Sequence, residues 1–149
     1  NTEARIKRSL VYDISTSVVD ETDVGFVGIT AAAQAENINR ILDVVIAEIK
    51  KLAAKPVSSR ELERAKRQMI VALTKKAEDN EDSIEVSAEQ LLNFGRLRST
   101  EEQISRINAV STDDVLVAAA AIFATTPSYL VQGRIADCYS YEQIKAKLR

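Results

Sequence analysis

Residues 10–33 read LVYDISTSVVDETDVGFVGITAAA, and they give the clearest indication of a β-structure in the chain. Two runs rich in β-branched residues, 10–19 and 24–33, lie on either side of the polar sequence DETD at positions 20–23. Such runs favour β-strands, and a short polar break between them favours an antiparallel hairpin. The sequence therefore predicts a two-stranded antiparallel unit near the beginning of the chain.

The spacing inside these runs predicts how the hairpin packs. Leu10, Tyr12 and Ile14 recur at every second position, so we expect them to share one face of the first strand. Gly25 and Gly28 lie inside the second run. Glycine within a strand often marks a bulge or a close approach of the backbone.

Helical periodicity follows the hairpin. Apolar residues recur at helical spacing over 35–54, and Ser58 with Glu61 forms a capping-box pattern that opens a second helix. The second helix is expected to bury an apolar stripe and to pair Glu63 with Arg67 on its outer side. The members of that stripe are Leu62, Ala65, Met69, Ala72 and Leu73.

The remaining elements complete a mixed architecture. Residues 2–8 are typical of the end of a helix, and a final strand is expected over Ser128–Gly133 after Pro127. Further helices are predicted over 83–94, 100–108, 112–124 and 140–148, with N-cap patterns at Ser99 and Ser111. This order predicts an α+β fold, a small antiparallel-rich sheet covered by helices, in one domain over residues 1–149.

Composition excludes several functions for this chain alone. Its 149 residues include no histidine, so it supplies neither the usual base of a serine or cysteine hydrolase nor a histidine-containing zinc site. With 20 Lys and Arg against 22 Asp and Glu, its net charge of −2 argues against a dedicated nucleic-acid binder. The apolar run Val115–Ala124 is too short to span a membrane. The single cysteine, Cys138, is expected to be a small, partly buried residue.

Charge is distributed unevenly along the middle of the chain. Residues 50–76 contain nine Lys and Arg but two acids, whereas residues 78–89 contain six acids and no base. Two solvated helix faces explain this pattern, and so does a basic strip that binds an acidic partner. The basic stretch lacks interleaved aromatic residues for base stacking, which argues against nucleic acid.

Two side chains near the hairpin form the candidate functional site. Arg5 lies on the predicted end of the helix, and Tyr12 follows seven positions later at the beginning of the first strand. A guanidinium and a phenol are suitable hydrogen-bond donors to a peptide carbonyl or to its oxyanion. A surface arginine and a core tyrosine explain the same two residues.

The stretch Arg5–Tyr12, RIKRSLVY, resembles the R-x-K-x-x-L-x-Y motif of zinc peptidases of the pitrilysin–insulinase (M16) type, which include the mitochondrial processing peptidases. Ser9 stands where that motif usually has glycine. Six further stretches resemble the same family in the same order: DVGF at 23–26, AENI at 35–38, ELERAKRQM at 61–69, QLLNFGR at 90–96, the region 107–118 and SYEQI at 140–144.

This resemblance implies the C-terminal, non-zinc-binding half of such an enzyme, beginning within its first helix and truncated at its N-terminus. It implies that zinc is held by an H-x-x-E-H motif in the missing N-terminal half or in a homologous partner subunit. Arg5 and Tyr12 would then bind the peptide substrate, and stabilise the transition state, across a closed chamber. The isolated chain is expected to be inactive, without cofactor or metal, and located in the mitochondrial matrix or, in a bacterium, in the cytoplasm.

Two other interpretations stay open. The chain is alternatively a non-catalytic structural subunit of the same fold, similar to a core subunit of the respiratory bc1 complex or to an inactive peptidase partner. A binding module that uses the basic strip and is unrelated to proteolysis explains one charge cluster but not the order of the motifs.

Overall fold

A computed structural model describes residues 10–20, 23–78 and 80–149 of the chain. In this part of the chain two strands precede six α-helices, and the predicted α+β class is confirmed. The predicted helix end at 2–8 lies outside the described residues. The elements are β1 Asp13–Asp20, β2 Gly25–Ala32, a 3₁₀ turn Ala35–Asn37, α1 Ile38–Ala54, α2 Ser59–Glu78, α3 Asn80–Phe94, α4 Thr100–Ala109, α5 Thr112–Phe123 and α6 Tyr141–Leu148.

The predicted hairpin is confirmed. β1 and β2 pair antiparallel, with Ser17 opposite Gly28 and Val18 opposite Val27. A Cβ atom at Gly28 would lie 2.7 Å from the Oγ atom of Ser17, and one at Gly25 would lie 3.1 Å from the Val19 carbonyl oxygen. Both glycines therefore mark close approaches between the strands, which is one of the two roles expected for them.

The hairpin is attached to α1 by apolar packing at its beginning. Leu10 and Val11 are buried, at 5% and 8% exposure, in a cluster with Ile41 and Val44 of α1. The expected alternation of Leu10, Tyr12 and Ile14 on one face is wrong for Tyr12, whose side chain is 65% exposed. The reason is that β1 begins at Asp13, so the alternation of a strand does not extend back through residues 10–12.

Hydrogen bonds fix the beginnings of the helices at the predicted serines. Glu61 N–H donates to Ser58 Oγ over 3.2 Å, and Ser58 Oγ donates to the Glu61 carboxylate over 2.7 Å. The same reciprocal pair joins Ser111 to Asp114. Each capping serine satisfies a helical N–H group that lacks a partner within the helix.

Side chains of two helices hold the segment between α3 and α4. α3 ends at Gly95, whose φ of 67° is the left-handed conformation that glycine adopts most readily. Arg96 forms a bidentate pair with Glu102, with N–O distances of 2.8 and 2.6 Å. Gln90 accepts a hydrogen bond of 2.6 Å from the Arg98 N–H. The segment is therefore bound at both of its ends.

α6 is attached to α1 by polar contacts. Asn39 donates to the Asp137 carbonyl over 2.7 Å and accepts from the Tyr139 N–H over 2.9 Å. Asp43 accepts from the Lys147 ammonium over 2.8 Å and from the Tyr139 hydroxyl over 3.1 Å. The hydrogen bond from Lys147, assisted by Tyr139, lowers the pKa of Asp43, and the same contact raises the pKa of Lys147.

The described residues form two compact units. The first contains the hairpin, α1 and α6, in the described residues up to Lys55 and in Val117–Arg149. The second, Pro56–Leu116, contains α2, α3 and α4. The single domain over residues 1–149 stays a prediction.

The expected strand over Ser128–Gly133 is wrong. Residues 128–133 have no strand conformation, and the described sheet pairs β1 with β2 alone. Leu130, in the middle of this segment, is 92% exposed. A strand requires hydrogen bonds to a neighbouring strand, and no described strand pairs with this segment.

Replacement of Asp43 by Asn is expected to lower the free energy of unfolding by a small amount, because the ion pair with Lys147 is exposed. The lowered pKa of Asp43 contributes stability that is present above its unfolded pKa of about 4 and is lost as pH falls through the native value. The raised pKa of Lys147 contributes stability present below about 10 and lost as pH rises through the native value.

Denaturant unfolding of the unsubstituted chain and of Asp43→Asn, from below about pH 4 to above about pH 10, measures the difference in the free energy of unfolding. The difference should be largest between about pH 4 and 10 and should vanish at both extremes. Asp137→Asn, which removes an exposed carboxylate of the same unit, is the control variant. A difference for Asp43→Asn that does not depend on pH would contradict the ion-pair assignment.

Candidate functional site

The backbone of Tyr12 is fixed on both sides, although its side chain is exposed. Leu10 and Val11, directly before it, are buried in the core cluster, and β1 begins directly after it. The Tyr12 N–H also donates to the Ala32 carbonyl over 2.8 Å. The chain therefore holds Tyr12 at a defined point at the beginning of the hairpin.

The phenol of Tyr12 is available to an external group. Its side chain is 65% exposed, and its hydroxyl has no hydrogen-bond partner among the described residues. A phenol in this state can donate to a carbonyl or oxyanion and can accept one hydrogen bond. The alternative of a core tyrosine is wrong for this position. Arg5 lies outside the described residues, so its proximity to Tyr12 stays a prediction.

Two carboxylates at helix beginnings are engaged with the capping serines. Those of Glu61 and Asp114 accept hydrogen bonds from Ser58 and Ser111, and these bonds lower the pKa of Asp114. Across residues 10–20, 23–78 and 80–149, no group of three or more Cys, Asp or Glu side chains is placed to hold a metal ion. The described residues therefore do not fit a zinc site.

The prediction of the packed face of α2 is right for Leu62 and Leu73, which are half-buried. It is wrong for Ala65, Met69 and Ala72, which are exposed, Met69 at 59%. Lys66 and Ile70 are half-buried instead. Lys66 replaces Met69 on the packed side because its ammonium donates to the Asn108 carbonyl at the end of α4, over 2.9 Å. A long lysine stem can be buried when its charged end reaches an acceptor.

This packing also changes the predicted ion pair on α2. Glu63 lies 3.4 Å from Lys66, three positions along, and does not pair with Arg67. Arg60, Arg64 and Arg67 are exposed, and none of the ion pairs within the described part of the chain includes them. Their i, i+4, i+7 spacing was the sequence signal for one helix face, and the expected pair with Glu63 obscured it.

One segment of the chain, which contains the hairpin, α1 and the first half of α2, matches a known family. Residues 1–69 match the family described as the peptidase M16 inactive domain. Within this segment the chain is similar to the M16-type inactive domain. The resemblance predicted from the seven motifs is confirmed.

Two curated relatives resemble the chain over nearly its whole length. The chain is 25% identical over 135 residues to an uncharacterised zinc protease of Streptomyces coelicolor. It is 27% identical over 149 residues to the mitochondrial-processing peptidase subunit alpha of Caenorhabditis elegans. These matches cover 91% and 98% of this chain but 29% of each relative. The chain thus spans less than a third of the length of these relatives.

Solved structures share the fold. A chain of Complex III2 from Candida albicans, bound to Inz-5, matches with a TM-score of 0.83 and 21% identity, over 98% of this chain and 35% of that one. The inactive peptidase domain of a Bordetella parapertussis protein matches with a TM-score of 0.63 and 26% identity, over 80% of this chain and 64% of that one. The predicted half-domain fold of the M16 peptidases is confirmed.

Within the described part of the chain, no helix combines the length and the apolar character that crossing a membrane requires.

Tyr12→Phe is expected to change the free energy of unfolding by less than about 0.5 kcal/mol, since the hydroxyl is exposed and unpaired among the described residues. Leu10→Ala, two positions earlier, should cost about 2–5 kcal/mol because it empties part of the core cluster. Urea unfolding of the two variants measures the contrast. Equal destabilisation by both substitutions would show that Tyr12 is a core residue.

Proposed function

We propose that the chain is the C-terminal, non-zinc-binding portion of a zinc metalloendopeptidase that cleaves peptides or presequences in a closed chamber. The family match to an inactive peptidase domain and the names of the two curated relatives support this proposal. In it, the chain supplies part of the chamber wall and the surface that meets the zinc-bearing half. Its partners are that half, or a homologous subunit, and a peptide substrate.

The exposed phenol of Tyr12 is the observation that carries this proposal. A hydroxyl held at a fixed backbone position, with no partner among the described residues, suits a donor to the carbonyl of a bound peptide. Arg5 adds a guanidinium that is positively charged at neutral pH. The proposed role of both residues is to bind substrate and to stabilise the oxyanion of the tetrahedral intermediate.

Zinc belongs to another part of the enzyme in this proposal. The chain has no histidine, and its described residues provide no cluster of metal ligands. Zinc would be held by the N-terminal half or by a partner subunit, where it would activate water for attack on the peptide bond. The residues of this chain would contact the substrate and would not bind the zinc ion.

A second candidate function is a non-catalytic structural subunit. The similarity to a chain of Candida albicans Complex III2 over 98% of this sequence favours this alternative, although at 21% identity it concerns the fold. A structural subunit would not need the phenol of Tyr12. The effect of Tyr12 on turnover therefore distinguishes the two functions.

The proposed location follows from the names of the relatives. The relative from Caenorhabditis elegans is a mitochondrial-processing peptidase subunit, which supports the mitochondrial matrix. The relative from Streptomyces coelicolor is bacterial, and the cytoplasm is the corresponding proposal for a bacterial source.

The isolated 149-residue chain is expected to bind no zinc stoichiometrically and to cleave no peptide, because it lacks the ligands and the base. Metal analysis after dialysis against zinc, together with a fluorogenic peptide assay, measures both properties. Tight binding of one zinc ion per chain would contradict the division of roles between two halves.

In the assembled enzyme, Arg5→Ala and Tyr12→Phe are each expected to lower kcat/KM by roughly tenfold to a thousandfold, as the loss of one donor to an oxyanion does. Steady-state kinetics with a peptide substrate measures the effect. Tyr141→Phe is the matched control, because its hydroxyl already donates to the Pro127 carbonyl over 3.1 Å. An unchanged kcat/KM in both test variants would favour the structural-subunit alternative.

A further inference from the structure

The exposed side of α2 forms a charged surface that the proposed peptidase role does not use. Arg60, Arg64, Arg67 and Val71 have the i, i+4, i+7, i+11 spacing of one helix face, which we call the arginine face. The half-buried residues of α2, such as Lys66 and Ile70, lie on another face. The arginine face therefore takes no part in the packing of its own unit.

The acids nearest to the arginine face in sequence are already engaged. Glu61 and Glu63 are the only acids within residues 50–76. Glu61 accepts two hydrogen bonds from the capping Ser58, and Glu63 lies 3.4 Å from the Lys66 ammonium. In the described part of the chain, no carboxylate pairs with the three guanidinium groups.

The shape of the surface suits an elongated ligand. An open groove of about 990 Å³ is lined by residues of 58–71, including all three arginines, Gln68 and Val71. Val71 is 54% exposed and adds an apolar contact at one end. Arg60 and Arg67 are seven residues apart, which corresponds to about 10 Å along a helix. Carboxylates at a similar spacing on a bound segment would match the row of guanidinium groups.

We propose that the arginine face binds an acidic polypeptide segment of another chain, a helix with carboxylates at i, i+4, i+7 spacing and one apolar residue. A guanidinium group binds a carboxylate through two parallel, charge-assisted hydrogen bonds. A lysine ammonium lacks this planar fork geometry. The charge of the face is complementary to such a segment. Among the described residues that line the groove there is no aromatic side chain, which argues against stacking of nucleotide bases.

Fluorescence anisotropy of the full chain with a labelled synthetic helix tests the proposal. The probe carries glutamates at the i, i+4, i+7 spacing and one leucine, and the control probe has glutamine at the same positions. The acidic probe should bind and the control should not, and binding should weaken between low salt and roughly 0.15 M salt because exposed ion pairs are screened.

Variants connect binding to the three side chains. Arg64→Gln should raise the Kd of the acidic probe about twofold to fivefold, and replacement of all three arginines by glutamine should raise it more than about tenfold. Arg134→Gln removes an exposed arginine of the other unit and should leave the Kd unchanged. Circular dichroism should show equal helix content in all variants, because the arginines are exposed.

Three results would overturn the proposal. The first is an unchanged Kd in the triple variant. The second is tighter binding of a single-stranded oligonucleotide than of the acidic probe. The third is self-association in sedimentation experiments that the triple variant abolishes, since this would assign the face to a second copy of the chain. This experiment measures binding to the arginine face and does not measure peptide cleavage. Its result therefore does not depend on whether the peptidase proposal is right.

Discussion

The packing of two consecutive apolar residues against α1 is the constraint on which the first unit depends. Leu10 and Val11 are both buried beside Ile41 and Val44, immediately before the hairpin begins. These residues precede β1, which begins at Asp13, and the segment that they anchor places the Tyr12 side chain at the surface where β1 starts. The position of the candidate site is therefore a consequence of core packing.

The local parts of the fold could be predicted from the sequence. The hairpin depends on two runs of strand-forming residues, and the helix boundaries depend on serine caps and on Gly95, which all act through neighbouring residues. The predictions that were wrong concern contacts between elements that are distant in the sequence. Residues 128–133 look like a strand but have no described partner strand, and Lys66 takes the packed position expected for Met69 because Asn108 offers a carbonyl.

The candidate site likewise has features that the sequence predicts and features that depend on tertiary contacts. Local sequence placed Tyr12 at the beginning of the hairpin, but its exposure follows from the burial of Leu10 and Val11. Charge counts indicated a basic stretch on α2, yet the partners of Glu61 and Glu63 decide which arginines are left without acids. Spacing along the sequence predicts which side chains are neighbours on a helix, whereas contacts with other helices decide which of them are already paired.

The sequence contains no histidine, and this bears on the role of the surface groups described above. The chain has a defined surface phenol and an arginine face, but its described part has no ligand cluster for a metal. The role proposed for the chain is to complete a zinc-bearing partner. The test is a titration of the zinc-bearing polypeptide from the same source with this chain, followed by an assay of peptide cleavage. Activity should rise with added chain and saturate at equimolar amounts. Full activity of the zinc-bearing polypeptide alone, unchanged by the added chain, would contradict this role.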